Sequence, residues 1–185
     1  PIMLLQAVFQ ALNVGTTALV ARFIGMGKPK EASDTVRQTF VMVILLGLVI
    51  SLFAGLTSSA ILSFMGAEPE VLRVGDAYFK VVGYGFVFNV IAMGLASALR
   101  GAGDTRSPMV INLVANAVNV TFNYILIWGK FGFPRWGVFG AGVATTFSRF
   151  VAAVWFVILA LKGERNVRLD FSDGYRPNPE ILKRI

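Results

Sequence analysis

Two rows of polar side chains interrupt otherwise apolar stretches of this chain. One row has four asparagines at steps of 4, 3 and 4 residues: Asn112, Asn116, Asn119 and Asn123. The other repeats these steps with Gln6, Gln10, Asn13 and Thr17. In an α-helix such steps place each row on one face. Amides both donate and accept hydrogen bonds, and their carbonyl oxygens can coordinate Na⁺.

Both rows must face protein or water, because an unsatisfied amide in hydrocarbon costs several kcal/mol. Two interpretations remain open. The amides hold neighbouring helices together, at about 0.6 kcal/mol per contact, or they line a polar cavity near the middle of a membrane. The matching rows on two separate segments favour the cavity.

The elements that carry these rows are long enough to cross a bilayer, which takes about 20 apolar residues. Five such segments occur, so we predict an all-α, polytopic transmembrane bundle. Its spans lie at about residues 2–24, 38–67, 71–99, 107–129 and 136–162. Apolar residues make up 56% of the chain and charged residues 15%. The net charge of +7 sits between the segments, without a basic face interleaved with aromatic residues, so we expect no nucleic-acid partner.

The distribution of basic residues predicts the orientation of the segments. Twelve lysines and arginines lie on one side, in the connections after the first and third segments and in the tail, and three lie on the other. The positive-inside rule places the twelve in the cytoplasm. Residue 1 then lies outside and opens directly on apolar sequence. We therefore expect the chain to be a piece of a larger transporter.

Few charged residues lie within the segments. Asp76 and Lys80 are four residues apart near the outer end of the third segment, which favours an interfacial ion pair. Arg149 lies near the middle of the fifth segment, where charge is costly. It is either a structural partner inside the bundle or a cation that lines the cavity. Tyr84 and Asn89 are weaker candidates for the cavity wall.

No catalytic site is predicted, so we do not expect an enzyme. The chain has no cysteine and no histidine, which excludes a Cys/His zinc site and His-based acid–base catalysis. Residues 101–104 (GAGD) lack a preceding strand and the lysine–Ser/Thr pair of a phosphate-binding loop.

Five sequence stretches resemble the multidrug and toxic compound extrusion (MATE) family in their order and spacing. They are residues 15–25 (GTTALVARFIG), 64–71 (FMGAEPEV), 99–108 (LRGAGDTRSP), 123–134 (NYILIWGKFGFP) and 140–146 (GAGVATT). The resemblance implies helices two to six of a six-helix N-terminal lobe over residues 1–162, and a cytoplasmic interlobe linker at 163–185. It also implies a cell membrane location, and helix one and a C-terminal lobe as partners.

By the same resemblance the function is export of cationic or amphipathic compounds in exchange for Na⁺ or H⁺, without a cofactor. The family's ion-coupling residues in this lobe map onto Asn119, Asn123 and Thr145. Asn123 departs from an aspartate in that pattern, and an amide cannot exchange a proton near neutral pH. We predict that eight amide, phenol and guanidinium side chains line the substrate cavity: Gln6, Gln10, Asn13, Asn112, Asn116, Tyr84, Asn89 and Arg149.

Two other functions compete with this one. A flippase for lipid-linked saccharides would line its cavity with several cations to meet pyrophosphate, whereas this chain offers only Arg149 at depth. A non-transporting membrane scaffold would need no polar cavity, which the two polar rows argue against.

Overall fold

The computed structural model describes residues 2–64, 66, 68–163, 169 and 181, and this part of the chain is helical without a strand. Its helices are α1 (Ile2–Gly25), α2 (Pro29–Leu56), α3 (Ser58–Phe64), α4 (Pro69–Gly101), α5 (Arg106–Trp128) and α6 (Gly137–Lys162). The predicted all-α class is confirmed. Most of the predicted linker at 163–185 lies outside the described residues.

Length and composition allow four of the described helices to cross a membrane. These are Pro29–Leu56, Gly75–Gly101, Arg106–Trp128 and Gly137–Lys162. Each exceeds the 20 or so residues that span the hydrocarbon core. The first predicted segment forms the 24-residue helix α1, whose first seven side chains lie outside the described ones.

Tight turns end the helices on the predicted cytoplasmic side. After α4, Gly103 has a φ of 85°, and the amide of Asp104 returns to the carbonyl of Leu99 at 2.9 Å. Glycine takes this left-handed conformation without a steric penalty. The buried Asp104 carboxylate then accepts from the amides of Arg106 and Ser107 at 3.1 and 3.0 Å, which caps the start of α5.

The region predicted as one span at 38–67 consists of two helices in the structure. α2 begins at Pro29, where proline suits a first helical turn. It ends at Leu56, and Thr57 separates it from α3. The Thr57 hydroxyl donates to the carbonyl of Phe53 at 2.6 Å, a back-bond that bends helices. The hydroxyls of Ser58 and Ser59 donate instead to another helix, to Asp76 in α4.

Two compact units divide the chain. Unit 1 contains Pro1–Leu45, Val90–Ile111 and Ala153–Ile185, and unit 2 contains Leu46–Asn89 and Asn112–Ala152. In unit 1, Val20, Leu95 and Phe156 are fully buried, and the hydroxyl oxygens of Thr16 and Thr39 are 3.0 Å apart. In unit 2, the Ser51 hydroxyl of α2 donates to the carbonyls of Gly83 and Tyr84 in α4 at 2.8 and 2.5 Å.

The predicted orientation leads to a labelling result. Cysteines that replace Lys28 and Arg135 are expected to react differently with a membrane-impermeant thiol reagent in intact cells. Position 135, in the α5–α6 connection, is expected to react, and position 28, between α1 and α2, is expected to react only after permeabilisation. This chain has no native cysteine to add background. Reaction at 28 with protection at 135 would reverse the orientation.

Candidate functional site

Three polar side chains of unit 2 form a hydrogen-bonded row between α5 and α6. Asn119 and Asn123 are one turn apart on α5, so Nδ2 of Asn123 donates to Oδ1 of Asn119 at 3.0 Å. Nδ2 of Asn119 donates to Oγ1 of Thr145 on α6 at 3.4 Å. Thr145 in turn donates to the carbonyl of Ala141 at 2.9 Å. Each side chain in the row therefore donates to the next, from Asn123 through Asn119 and Thr145 to the backbone of α6.

Close packing of α5 on α6 brings this row together. Gly140 lies against Leu126, where a Cβ on the glycine would come within 2.9 Å of the Leu126 carbonyl oxygen. The same carbonyl accepts from the amide of Trp136 at 3.0 Å, which fixes the entry of the chain into α6. The rings of Phe122 and Phe147 pack at a tilt of 42° with their centroids 4.7 Å apart. The missing side chain at Gly140 therefore sets the helix separation at which Asn119 reaches Thr145.

The carbonyl oxygen of Asn123 is the chemically unsatisfied atom of this row. Oδ1 of Asn123 is buried and has no hydrogen-bond partner within the described part of the chain. A buried acceptor without a partner costs about 1–3 kcal/mol. Such an oxygen can accept from a protonated group or coordinate a cation. The described residues contain no cluster of His, Cys, Asp or Glu that could hold a metal ion. The ligands that the row itself could offer a cation are therefore amide and hydroxyl oxygens.

The other two asparagines of the α5 face stay outside this row. Asn112 is partly buried and Asn116 is exposed. Neither side chain hydrogen-bonds to a residue that the structure describes. Both lie toward the start of α5, which is predicted to face the cytoplasm, one and two turns before Asn119. They leave two amides available on the face that the sequence assigned to a cavity.

The polar row on α1 is engaged in unit 1. Oδ1 of Asn13 accepts from the Ser97 hydroxyl of α4 at 3.3 Å, and the Thr17 hydroxyl donates to the Ser97 carbonyl at 3.0 Å. Gln10 is exposed, and the Gln6 side chain lies outside the described residues. Asn13 and Thr17 thus make the interhelical hydrogen bonds of the alternative interpretation. Ser97 was not singled out by sequence, since it lies in a run of small residues without a polar row of its own.

The remaining cavity candidates take different positions in unit 2. The Tyr84 ring is half-exposed and covers Gly55 of α2, which has no side chain to displace it. Asn89 is partly buried on α4. Arg149 is partly buried on α6, and its side chain makes no hydrogen bond or ion pair within the described residues.

The outer end of unit 2 carries a second polar cluster, centred on Asp76. Its carboxylate lies 2.7 Å from Nζ of Lys80, so the predicted ion pair is confirmed. The hydroxyls of Ser58 and Ser59 donate to the same carboxylate at 2.5 and 2.8 Å. Sequence spacing identified Lys80 but not the two serines, because they come from another helix. The cluster attaches α3 to α4 and leaves Asp76 fully partnered.

A family comparison decides what kind of protein carries this row. The family profile named MatE matches residues 2–125. The chain belongs to the MATE family. It is 36% identical over 160 residues to a probable multidrug resistance protein NorM of Thermotoga maritima, and the match covers 86% of this chain and 34% of that protein. The chain thus spans about a third of the length of such relatives.

Solved MATE structures share its fold. The inward-facing conformation of a multidrug resistance MATE family transporter gives a TM-score of 0.85, and an outward-facing conformation gives 0.86. Both are 26% identical to this chain in sequence. Each match covers 96% of this chain, and it covers 40% of the inward-facing chain and 39% of the outward-facing chain. The predicted family is confirmed, and with its membrane-spanning helices the chain is a multi-pass membrane protein.

Membership in the MATE family gives the three linked residues a common context. Asn119, Asn123 and Thr145 are the positions onto which the family's ion-coupling pattern maps, and they are the residues joined here by hydrogen bonds. Their assignment as an ion site stays a prediction.

Proposed function

We propose that this chain is part of a secondary transporter that exports amphipathic organic compounds, organic cations included, in exchange for Na⁺ or H⁺. The observation that carries the proposal is the buried carbonyl of Asn123 at the end of the Asn119–Thr145 row, which has no hydrogen-bond partner among the described residues. A hydrogen-bond acceptor without a described partner, buried between two membrane-spanning helices, could coordinate a small cation that binds and dissociates during transport. A permanent structural contact would instead be satisfied at rest.

The chemistry of the row bears on the coupling ion. Its oxygens belong to two amides and one hydroxyl, which can coordinate Na⁺ but cannot exchange a proton near neutral pH. Coupling to H⁺ therefore needs an acid elsewhere in the transporter. No chemical transformation is part of the proposal, in keeping with relatives that are transporters.

The competing functions have less support. A flippase for pyrophosphate-linked saccharides calls for several cations at depth, and the described part of α5 and α6 carries Arg149 alone between their ends. A non-transporting scaffold gives no reason for a buried acceptor, Oδ1 of Asn123, that no described residue satisfies.

Reconstitution of the full-length transporter tests the proposed function. Proteoliposomes are given either a Na⁺ gradient or a pH gradient, and the movement of a fluorescent organic cation such as ethidium is followed. We expect movement against its own gradient under at least one of the two conditions, and dissipating that gradient with the matching ionophore should abolish it. Movement that is insensitive to both gradients would contradict antiport.

A further inference from the structure

Arg149 lies close to the middle of the membrane. It is twelve residues after the first residue of α6, Gly137–Lys162. At 1.5 Å per residue this is about 18 Å along a helix that crosses roughly 30 Å of hydrocarbon. The guanidinium stays charged in proteins, and a charge at this depth is costly. Such a residue is retained where something compensates the charge.

The face of α6 that bears Arg149 is the face packed on protein. Gly142, Thr145 and Ala152 share it, at steps of 3, 4 and 3 residues. Gly142 lies against Tyr78 of α4, Thr145 accepts from Asn119 of α5, and Ala152 is buried. On the opposite face, Val154 is exposed. Arg149 therefore emerges on the side of α6 that faces α4 and α5.

Acidic partners for Arg149 are missing from the described part of the chain. Glu31, Asp34 and Asp76 lie in ion pairs with Lys28, Arg37 and Lys80. Asp104 caps α5, and Glu68 lies before α4. α5 and α6 contain no acidic residue. The side chain of Arg149 makes no hydrogen bond or ion pair with the described residues.

Amide donors lie at the same depth as this cation. α5 and α6 run in opposite directions, and the Asn119–Thr145 contact fixes their register. One turn further toward the cytoplasm are Asn116 on α5 and Arg149 on α6. Asn116 is exposed and its amide hydrogen-bonds to none of the described residues. A guanidinium and an amide NH₂ at one depth together form a donor set suited to a carboxylate or phosphate.

We propose that Arg149, assisted by Asn116, binds the anionic group of an amphipathic substrate, so that the transporter favours zwitterionic and anionic amphiphiles over purely cationic ones. The proposal rests on the proposed export function and specifies its substrate class. The charge of Arg149, which pairs with none of the residues that the structure describes, is then compensated by the substrate when it binds.

A pair of dyes of nearly equal size tests this assignment. Tetramethylrhodamine bears a free carboxylate and is zwitterionic, whereas its methyl ester is a cation with the same ring system. Their binding to the purified full-length transporter is measured by fluorescence anisotropy, without any ion gradient. We expect Arg149→Gln to weaken binding of the carboxylate dye about 10- to 100-fold, the loss typical of a charge-assisted hydrogen bond. Binding of the ester should change by less than about twofold.

Two further variants keep the test interpretable. Arg149→Lys keeps the charge and should retain part of the preference for the carboxylate dye. Arg135→Gln removes a cation from the outer connection, where the guanidinium lies over Trp128, and should leave the preference unchanged. Equal effects of Arg149→Gln on both dyes, or no effect on either, would overturn the proposal and assign Arg149 to a structural pair elsewhere in the transporter.

These measurements distinguish a failure of the proposed anion site from a failure of the proposed antiport function. If the preference for the carboxylate depends on Arg149 but no ion gradient drives dye movement, the anion site stands and the antiport function is wrong. If gradients drive movement of both dyes without regard to Arg149, antiport stands and the anion site is wrong.

Discussion

Replacing Asn123 with leucine in the full-length transporter is expected to lower ion-driven efflux by about tenfold or more, while the amount of protein in the membrane stays within about twofold. Leucine has the same branched arrangement of four side-chain heavy atoms and suits a membrane helix. The substitution removes both the donor to Asn119 and the buried oxygen that has no partner among the described residues. Efflux of a fluorescent cation from proteoliposomes, normalised to inserted protein, measures the effect.

A matched control lies half a turn away on the same helix. The exposed Thr121 donates to the carbonyl of Ala117 in its own helix, so Thr121→Val removes a hydroxyl without touching α6. Its efflux should stay near that of the unsubstituted protein. Normal efflux from Asn123→Leu would reduce the row to a contact between helices.

Asn123→Asp is a sharper variant, because it changes the ion chemistry with little change in shape. A carboxyl group can bind and release a proton where an amide cannot. We expect the efflux of this variant to depend on pH differently from that of the unsubstituted transporter, measured under a constant Na⁺ gradient across a pH series. Superimposable pH profiles would indicate that position 123 has no part in the ion step.

Periodicity in the sequence predicts which residues share a helix face, and this part of the fold was readily predicted. The long apolar segments correspond to α1, α2, α4, α5 and α6. The Asp76–Lys80 pair follows from spacing within one helix. The 3.6-residue repeat also places Asn119 and Asn123 together, because both atoms of that contact belong to α5.

Contacts between helices were harder to predict, since they depend on register and rotation. Thr145 was linked to Asn119 only through the family resemblance, not through spacing. Ser51, Ser58 and Ser97 donate to other helices, yet none belongs to a polar row. The break at Thr57 follows from side chains that find partners outside their own helix, which local propensity does not encode. Asn13 is hydrogen-bonded between helices although its row resembles that of α5.

Gly140 tests whether helix separation controls the site. We expect Gly140→Val to destabilise the folded transporter by about 1–3 kcal/mol, the usual cost of overpacking. A Cβ there would lie 2.9 Å from both the Cβ and the carbonyl oxygen of Leu126, and the backbone cannot rotate away as a side chain can. The melting temperature in detergent measures the loss, and the dye efflux of the surviving protein measures its consequence for the site.

The matched control is Gly75→Ala, another glycine within a helix, where a Cβ would meet only Leu62 at 3.6 Å. That substitution should be neutral or stabilising, since alanine is the better helix former. The hydrogen bond between Asn119 and Thr145 is already long at 3.4 Å, so a wider separation of α5 and α6 should break it before the shorter hydrogen bonds of the row. Gly140→Val should therefore lose efflux even at temperatures where it stays folded. A variant that melts and transports like the unsubstituted protein would show that the α5–α6 contact does not set the geometry of the row.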